Sequence, residues 1–195
     1  MRYDAEHKQK TRERVIEEAA REIRAQGPDR VGVAGIMAKA GLTHGGFYAH
    51  FTSKDDLIVA AMDKMFDDAR ARIAKEVGEL PPAEGLAAYI DFYLSRAHRD
   101  ARFTGCAMAA LAADLPRMQG PAQKLFGERV AALTARLTGV LTAMGRPEPE
   151  DDASSMVSEL VGALSLARAE PDPDRSDAIL ERSKRLLKRR LDLGE

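Results

Sequence analysis

The sequence predicts an all-α chain of about nine helices. Three observations carry that expectation. Apolar residues recur at helical spacing along the whole chain, and no segment alternates apolar with polar residues while enriched in β-branched types. Proline and glycine stand between the periodic stretches, at Gly27-Pro28, Pro116, Gly120-Pro121, Gly145-Arg146-Pro147 and Pro171-Asp172-Pro173.

The first helix is expected from about Thr11, read as its N-cap, through the stripe Val15, Ile16, Ala19, Ala20 and Ile23 to the stop at Gly27-Pro28. A short helix follows over Val33 to Ala40, with Val33, Ile36, Met37 and Ala40 inward, and Gly41 ends it. After the turn Leu42-Thr43 comes a second short helix, His44 to Phe51. Ser53 then caps a long helix carrying Leu57, Ala60, Ala61, Met65 and Ile73 to about Gly78, with Asp55 and Asp56 in the first turn, where the helix dipole favours acids. LPPAEG, residues 80–85, signals a linker, and alanine-rich helices are expected beyond it at 86–98, 104–115, 121–144, 154–169 and 175–191.

At 195 residues and 21.3 kDa the chain can bury a core without staples, and its 45% hydrophobic and 31% charged residues exclude a disordered class. The longest apolar run, Cys106 to Ala113, is far short of a membrane span, so no membrane partner is expected. The charged N-terminus lacks the apolar segment of a secretory signal, which points to the cytoplasm. A single cysteine, Cys106, leaves no internal disulfide or cysteine-rich zinc site, and His44 and His50 are spaced for different faces, so neither a metal nor a cofactor is expected. The net charge of −1 hides an asymmetry: residues 1–54 hold 10 Lys/Arg against 7 Asp/Glu, whereas the remainder holds 20 against 24. That sign suits a nucleic-acid-binding N-terminal module.

Two short helices joined by a glycine-containing turn form a helix-turn-helix unit, whose second helix lies in the DNA major groove. Phe47 and Phe51, four residues apart, are placed with Leu42 on the core of Ile16, Ile36 and Ala40. Thr43, His44, Gly45, Gly46, Tyr48 and His50 then face outward, and all are small or able to donate a hydrogen bond. Two adjacent glycines each cost a helix roughly 1 kcal/mol against alanine, so clearance for an approaching backbone is their expected use.

The run VGVAGIMAKAGLTHGGFYAHFTSKDDL, Val31 to Leu57, resembles the DNA-binding domain of the TetR/AcrR-type family of one-component bacterial transcriptional regulators. The resemblance rests on Ala40-Gly41, on the aromatic-Tyr-x-His-Phe of Phe47 to Phe51 and on the Ser-Lys-x-x-Leu of Ser53 to Leu57. It covers residues 8–68, with the helix-turn-helix at about 31–50, and implies a repressor that binds a palindromic double-stranded DNA operator as a homodimer. By position it implies phosphate contacts from Thr43, Tyr48, His50 and Lys54, and base-edge approach at His44, Gly45 and Gly46. Gly32 and Gly35 replace a usual hydroxyl cap and acid, which weakens the cap of the second helix. Met37 replaces a usual alanine where the two short helices cross, which widens their separation, and His44 stands where lysine is frequent.

The same resemblance implies that residues 83–192 form a helical effector-binding and dimerisation domain. Met156, Val157, Leu160, Val161 and Leu164, with Leu187 from the last helix, are the expected dimer stripe. The basic run at Lys184-Arg185 and Lys188-Arg189-Arg190 reads as a solvated face. Met62, Met65, Phe66, Tyr89, Phe92 and Tyr93 are adaptable side chains suited to an apolar pocket for a small apolar or aromatic effector. Phe103, Cys106, Met108 and Leu111 extend that set. Cys106 follows Gly105 near a helix start, with Arg102 close in sequence, so a thiol sensor of electrophiles or oxidants is an alternative to a small buried thiol. A helical carrier or enzyme without operator binding is the other alternative, although no Ser/His/Asp, carboxylate-pair or metal constellation supports catalysis.

Overall fold

The structure, a computed structural model, describes residues 2–77, 79–118 and 120–194. Among them are nine α-helices and two 3₁₀ segments, and no strand. Helices α1 (Arg2–Gln26) and α2 (Val33–Lys39), a 3₁₀ reader segment (His44–Ala49) and α3 (Lys54–Val77) come first. Then follow α4 (Pro82–Tyr93), α5 (Arg96–Asp100), α6 (Ala107–Leu111), a 3₁₀ turn (Leu115–Arg117), α7 (Pro121–Ala143), α8 (Pro149–Ala169) and α9 (Pro173–Arg190). No described helix is long and apolar enough to cross a membrane.

Several boundaries differ from expectation, each for a local reason. Thr11 is buried inside α1 and caps nothing, because the polar turns before it are helical too. Side-chain pairs at i, i+4, such as Lys10 with Glu6 at 2.8 Å, support a stretch that apolar periodicity does not register. Pro82, Pro149 and Pro173 do not separate helices but open them at the first position, where a proline's missing N–H costs nothing. The expected linker therefore holds the first turn of α4. The helix expected over 86–98 breaks after Tyr93, and Ser95 caps α5 by accepting the His98 N–H at 3.1 Å. The helix expected over 104–115 shrinks to α6, since Gly105 sits in a turn where a Cβ would lie 2.7 Å from the Ala101 carbonyl. The expected end of the long helix at Gly78 lies outside the described residues; Ser53 does cap its start, accepting the Asp56 N–H at 3.1 Å.

The apolar faces gather into two cores. The first joins α1, α2, the reader segment and the N-terminal half of α3 around Val15, Ile23, Met37, Phe47, Phe51, Leu57, Met62 and Met65, all nearly inaccessible. The second joins α4, α7, α8 and α9 around Ile90, Leu94, Leu141, Met156, Leu160 and Leu164. Helix α3 runs through both, and α6 sits between them: Ala107 and Leu111 belong to the first, Met108 to the second. Phe66 and Phe126 pack against both, with their rings edge to face at 5.9 Å. Arg24 ties α1 to α3, donating to the Met65 carbonyl at 3.1 Å and the Asp68 carboxylate at 3.2 Å.

Candidate functional sites

The turn between α2 and the reader segment is a Schellman motif. Gly41 has φ +71°, the Leu42 N–H donates to the Met37 carbonyl at 2.9 Å and the Gly41 N–H to the Ala38 carbonyl at 3.0 Å. Only glycine adopts that backbone without cost, so the angle between the two elements is set at Gly41. As expected, α2 starts weakly: Gly32 offers no side-chain cap.

The reader segment is 3₁₀ over His44–Ala49, not the α-helix expected to Phe51. Phe47 and Phe51 are buried with rings stacked at 5.5 Å. Thr43, His44 and Gly45 are exposed, Tyr48 is 72% exposed, and Gly46, His50 and Lys54 are half-buried. Neither glycine is demanded by the chain itself. A Cβ on Gly45 meets nothing within 4 Å, and one on Gly46 makes only ordinary contact, 3.7 Å from the Met37 Cε. The bulk of Met37, fully buried, is seated over Gly46, where a side chain is absent.

Two cations of this face lie outside the reader motif and are not among the residues picked from sequence. Arg12 lies over the Phe51 ring at 4.9 Å, and Lys8, one turn earlier on α1, acts with Arg12 on His50. Their i, i+4 spacing in the polar half of α1 was the available signal. Burial, then Lys8 and Arg12, lower the His50 pKa, and its buried Nδ1 has no partner among the described residues.

A cavity of about 540 Å³ lies between the C-terminal half of α3, α4, α6 and α7. Of the residues picked from sequence, Phe66, Tyr89, Phe92, Tyr93, Cys106 and Met108 line it. Met62, Met65 and Leu111 do not; they point toward α1 and are fully buried in the first core. Phe103 is also outside it, 49% exposed beneath the Arg21 guanidinium at 5.9 Å. Sequence reasoning missed the charged lining, Asp67, Arg70, Arg72, Arg129 and Arg136. Arg129 and Arg136 stand seven residues apart on one face of α7, a spacing that could have flagged them.

At the buried end, the Tyr93 hydroxyl donates to the Cys106 Sγ at 3.0 Å, while the Tyr89 hydroxyl has no partner among the described residues. Burial, with Cys106 nearby, raises both phenol pKa values, so both stay protonated. His98, missed as a lining residue, donates from Nδ1 to the Tyr93 carbonyl at 2.8 Å and stacks on Phe92 with centroids 5.1 Å apart. Burial brings its pKa down to about 4, leaving it neutral. Cys106 is the N-cap of only a five-residue helix, and the cations it acts on are Arg168 and Arg24 rather than Arg102.

Met156, Val157, Leu160, Leu164 and Leu187 are buried within the single chain, where their apolar area is already used; Val161 is half-buried. What α8 and α9 turn outward is a different flank: Ser155, Ser158, Gly162 and Leu166 on one, Ala178, Arg182, Leu186 and Arg189 on the other. Leu166 is 63% and Leu186 39% exposed.

A helix-turn-helix module joined by a shared helix to a hollow helical body defines the class of protein. Residues 15–61 match the family model described as bacterial regulatory proteins, tetR family. It is 36% identical over 84 residues to the probable HTH-type transcriptional regulator ArpR of Pseudomonas putida, covering 42% of this chain and 40% of that protein. It is 34% identical over the same length to HTH-type transcriptional regulator TtgR, also of Pseudomonas putida, with the same coverage. Both matches thus span well under half of the curated relatives' length. A TetR transcriptional regulator from Chloroflexus aurantiacus J-10-FL shares the fold, with TM-score 0.81 at 24% identity over 93% of this chain and 94% of that one.

Proposed function

We propose that the protein is a sequence-specific DNA-binding regulator, a dimeric repressor that leaves its operator when a small molecule enters the cavity. The observation that carries this is the pairing of an outward, donor-rich reader face with a partly open cavity on the same long helix, α3. Thr43, Tyr48, His50 and Lys54, flanked by Lys8 and Arg12, meet phosphates, and His44, Gly45 and Gly46 approach base edges. A 3₁₀ reader with no side chain at two consecutive positions brings its own backbone N–H groups close to the duplex. The dimer forms through the outer flanks of α8 and α9, where Leu166 and Leu186 are the exposed apolar anchors. Ligand shifts the population toward a reader spacing that no longer fits successive major grooves.

Footprinting on the protein's own promoter region tests this. Protection of a near-palindrome is expected, with affinity falling steeply as salt rises because phosphate contacts release counterions. No protected sequence at low salt overturns it.

One observation favours a second reading: the Cys106 thiol lines the cavity and is held by the Tyr93 hydroxyl. An electrophile small enough to enter would then modify Cys106 and release DNA. Treatment of the full-length protein with N-ethylmaleimide, followed by intact mass and DNA-binding measurements, decides it. No adduct, or an adduct with undiminished DNA binding, removes this reading.

A further inference from the structure

The body beyond residue 54 carries a net charge of −4, yet the cavity within it is lined by four arginines against one aspartate. Composition alone does not produce that inversion. Arg70 pairs with Asp67 at 3.2 Å, and Arg129 pairs with Asp63, so two of the four are partly neutralised. Arg72 and Arg136 make no ion pair with any described side chain; Arg72 is half-buried beside the neutral His98, and Arg136 is exposed at the cavity rim. An unpaired guanidinium at the wall of an apolar cavity is placed to pair with the anionic group of a ligand that fills the cavity. The rest of the lining is mainly apolar, with Thr104, His98 and Tyr93 as further polar members, and the Tyr89 hydroxyl is a buried polar group with no partner among the described residues.

Resting on the ligand-released reading above, we infer that the effector is an amphipathic anion: an apolar or aromatic body in the cavity, with one carboxylate held by Arg72 and Arg136 and a polar atom accepting from Tyr89. The volume suits a molecule of ordinary drug size. Guanidinium groups are suited to a planar carboxylate through paired hydrogen bonds. A neutral ligand of the same shape fills the apolar space but makes no charge-assisted hydrogen bond to either arginine.

Matched probes test this on the full-length protein by calorimetric titration: dodecanoate against dodecan-1-ol, and biphenyl-4-carboxylate against biphenyl-4-methanol. At least one acid is expected to bind about tenfold or more tighter than its alcohol, the size of one charge-assisted hydrogen bond. Whether the acyl or the aryl pair binds names the source of the apolar body. Arg72→Gln and Arg136→Gln are expected to erase the preference while leaving alcohol binding within about twofold. Equal binding of acid and alcohol, a preference untouched by either substitution, or no binding of any probe overturns the inference. Fluorescence anisotropy of promoter DNA, run in parallel, separates the two levels. Acid preference without DNA release leaves this inference standing and defeats ligand release, whereas release by the alcohols alone does the reverse.

Discussion

The reader face and the cavity use their functional residues in opposite ways. At the reader, the anchors and the contacts are different residues: Phe47 and Phe51 are buried, while Thr43, His44, Gly45 and Tyr48 are exposed and hold nothing in place. At the cavity the same residues do both, since Tyr89, Tyr93, Met108 and Cys106 belong to the second core and also line its hollow. Substitutions at the reader should therefore separate stability from binding, and substitutions at the cavity should not.

The largest effect expected is at a reader anchor. Phe47→Ala removes a fully buried ring and should cost about 3–5 kcal/mol in urea unfolding; a loss below about 1 kcal/mol would break the division between anchors and contacts. Next comes His98 on the cavity side. With its folded pKa at about 4 against an ordinary 6.5, the unfolded chain takes up a proton through that range before the folded chain does. Its contribution is complete above pH 6.5 and is lost as pH falls toward 4, a decline of about 3 kcal/mol. Urea midpoints across that window should fall more steeply for the native protein than for His98→Gln; parallel curves would refute the assignment.

Tyr48→Phe should weaken operator binding about tenfold while stability stays within about 0.5 kcal/mol, read by anisotropy and thermal melting on the same sample. Tyr93→Phe, its cavity counterpart, removes the donor to Cys106, and a loss of about 1 kcal/mol should accompany any change in ligand affinity. Smallest in stability is Gly45→Ala, where nothing within 4 Å meets the added methyl. Unfolding should shift by less than about 0.5 kcal/mol, while DNA affinity falls; unchanged affinity would show that the reader needs no clearance there.

This contrast also explains what was legible in the sequence. The reader is a local object: Gly41, Phe47, Tyr48, Phe51 and Ser53 lie within a few turns, and each has a residue type fixed by its own geometry. Its buried anchors Phe47 and Phe51 and its exposed Thr43, His44, Gly45 and Tyr48 followed from spacing, whereas Gly46 and His50, expected outward, are half-buried. Lys8 and Arg12 escaped because they reach the same face from another helix. The cavity is non-local, built from residues as far apart in the chain as α3 and α7, so large side chains on α3 such as Met62 and Met65 could not be assigned to one core or the other from periodicity. Its charge was hidden for a similar reason, because Arg70, Arg72, Arg129 and Arg136 look like surface residues until α3 and α7 are set side by side. The stripe picked on α8 lies inside the chain because the most apolar stripe is the one a chain buries against itself first.

Helix α3 gives the cavity mechanical leverage over the reader. Its 24 residues make a rod about 36 Å long, capped by Ser53 at the reader and lined by Phe66, Arg70 and Arg72 at the cavity. A tilt of about 5° about one end carries the other through roughly 3 Å, a large fraction of a groove's tolerance for a docked backbone. On the proposed release mechanism, a change of one rotamer's width at the cavity wall would be magnified before it reached DNA. Stiffness, rather than any conducting path of side chains, is the property of α3 on which the proposed release would depend.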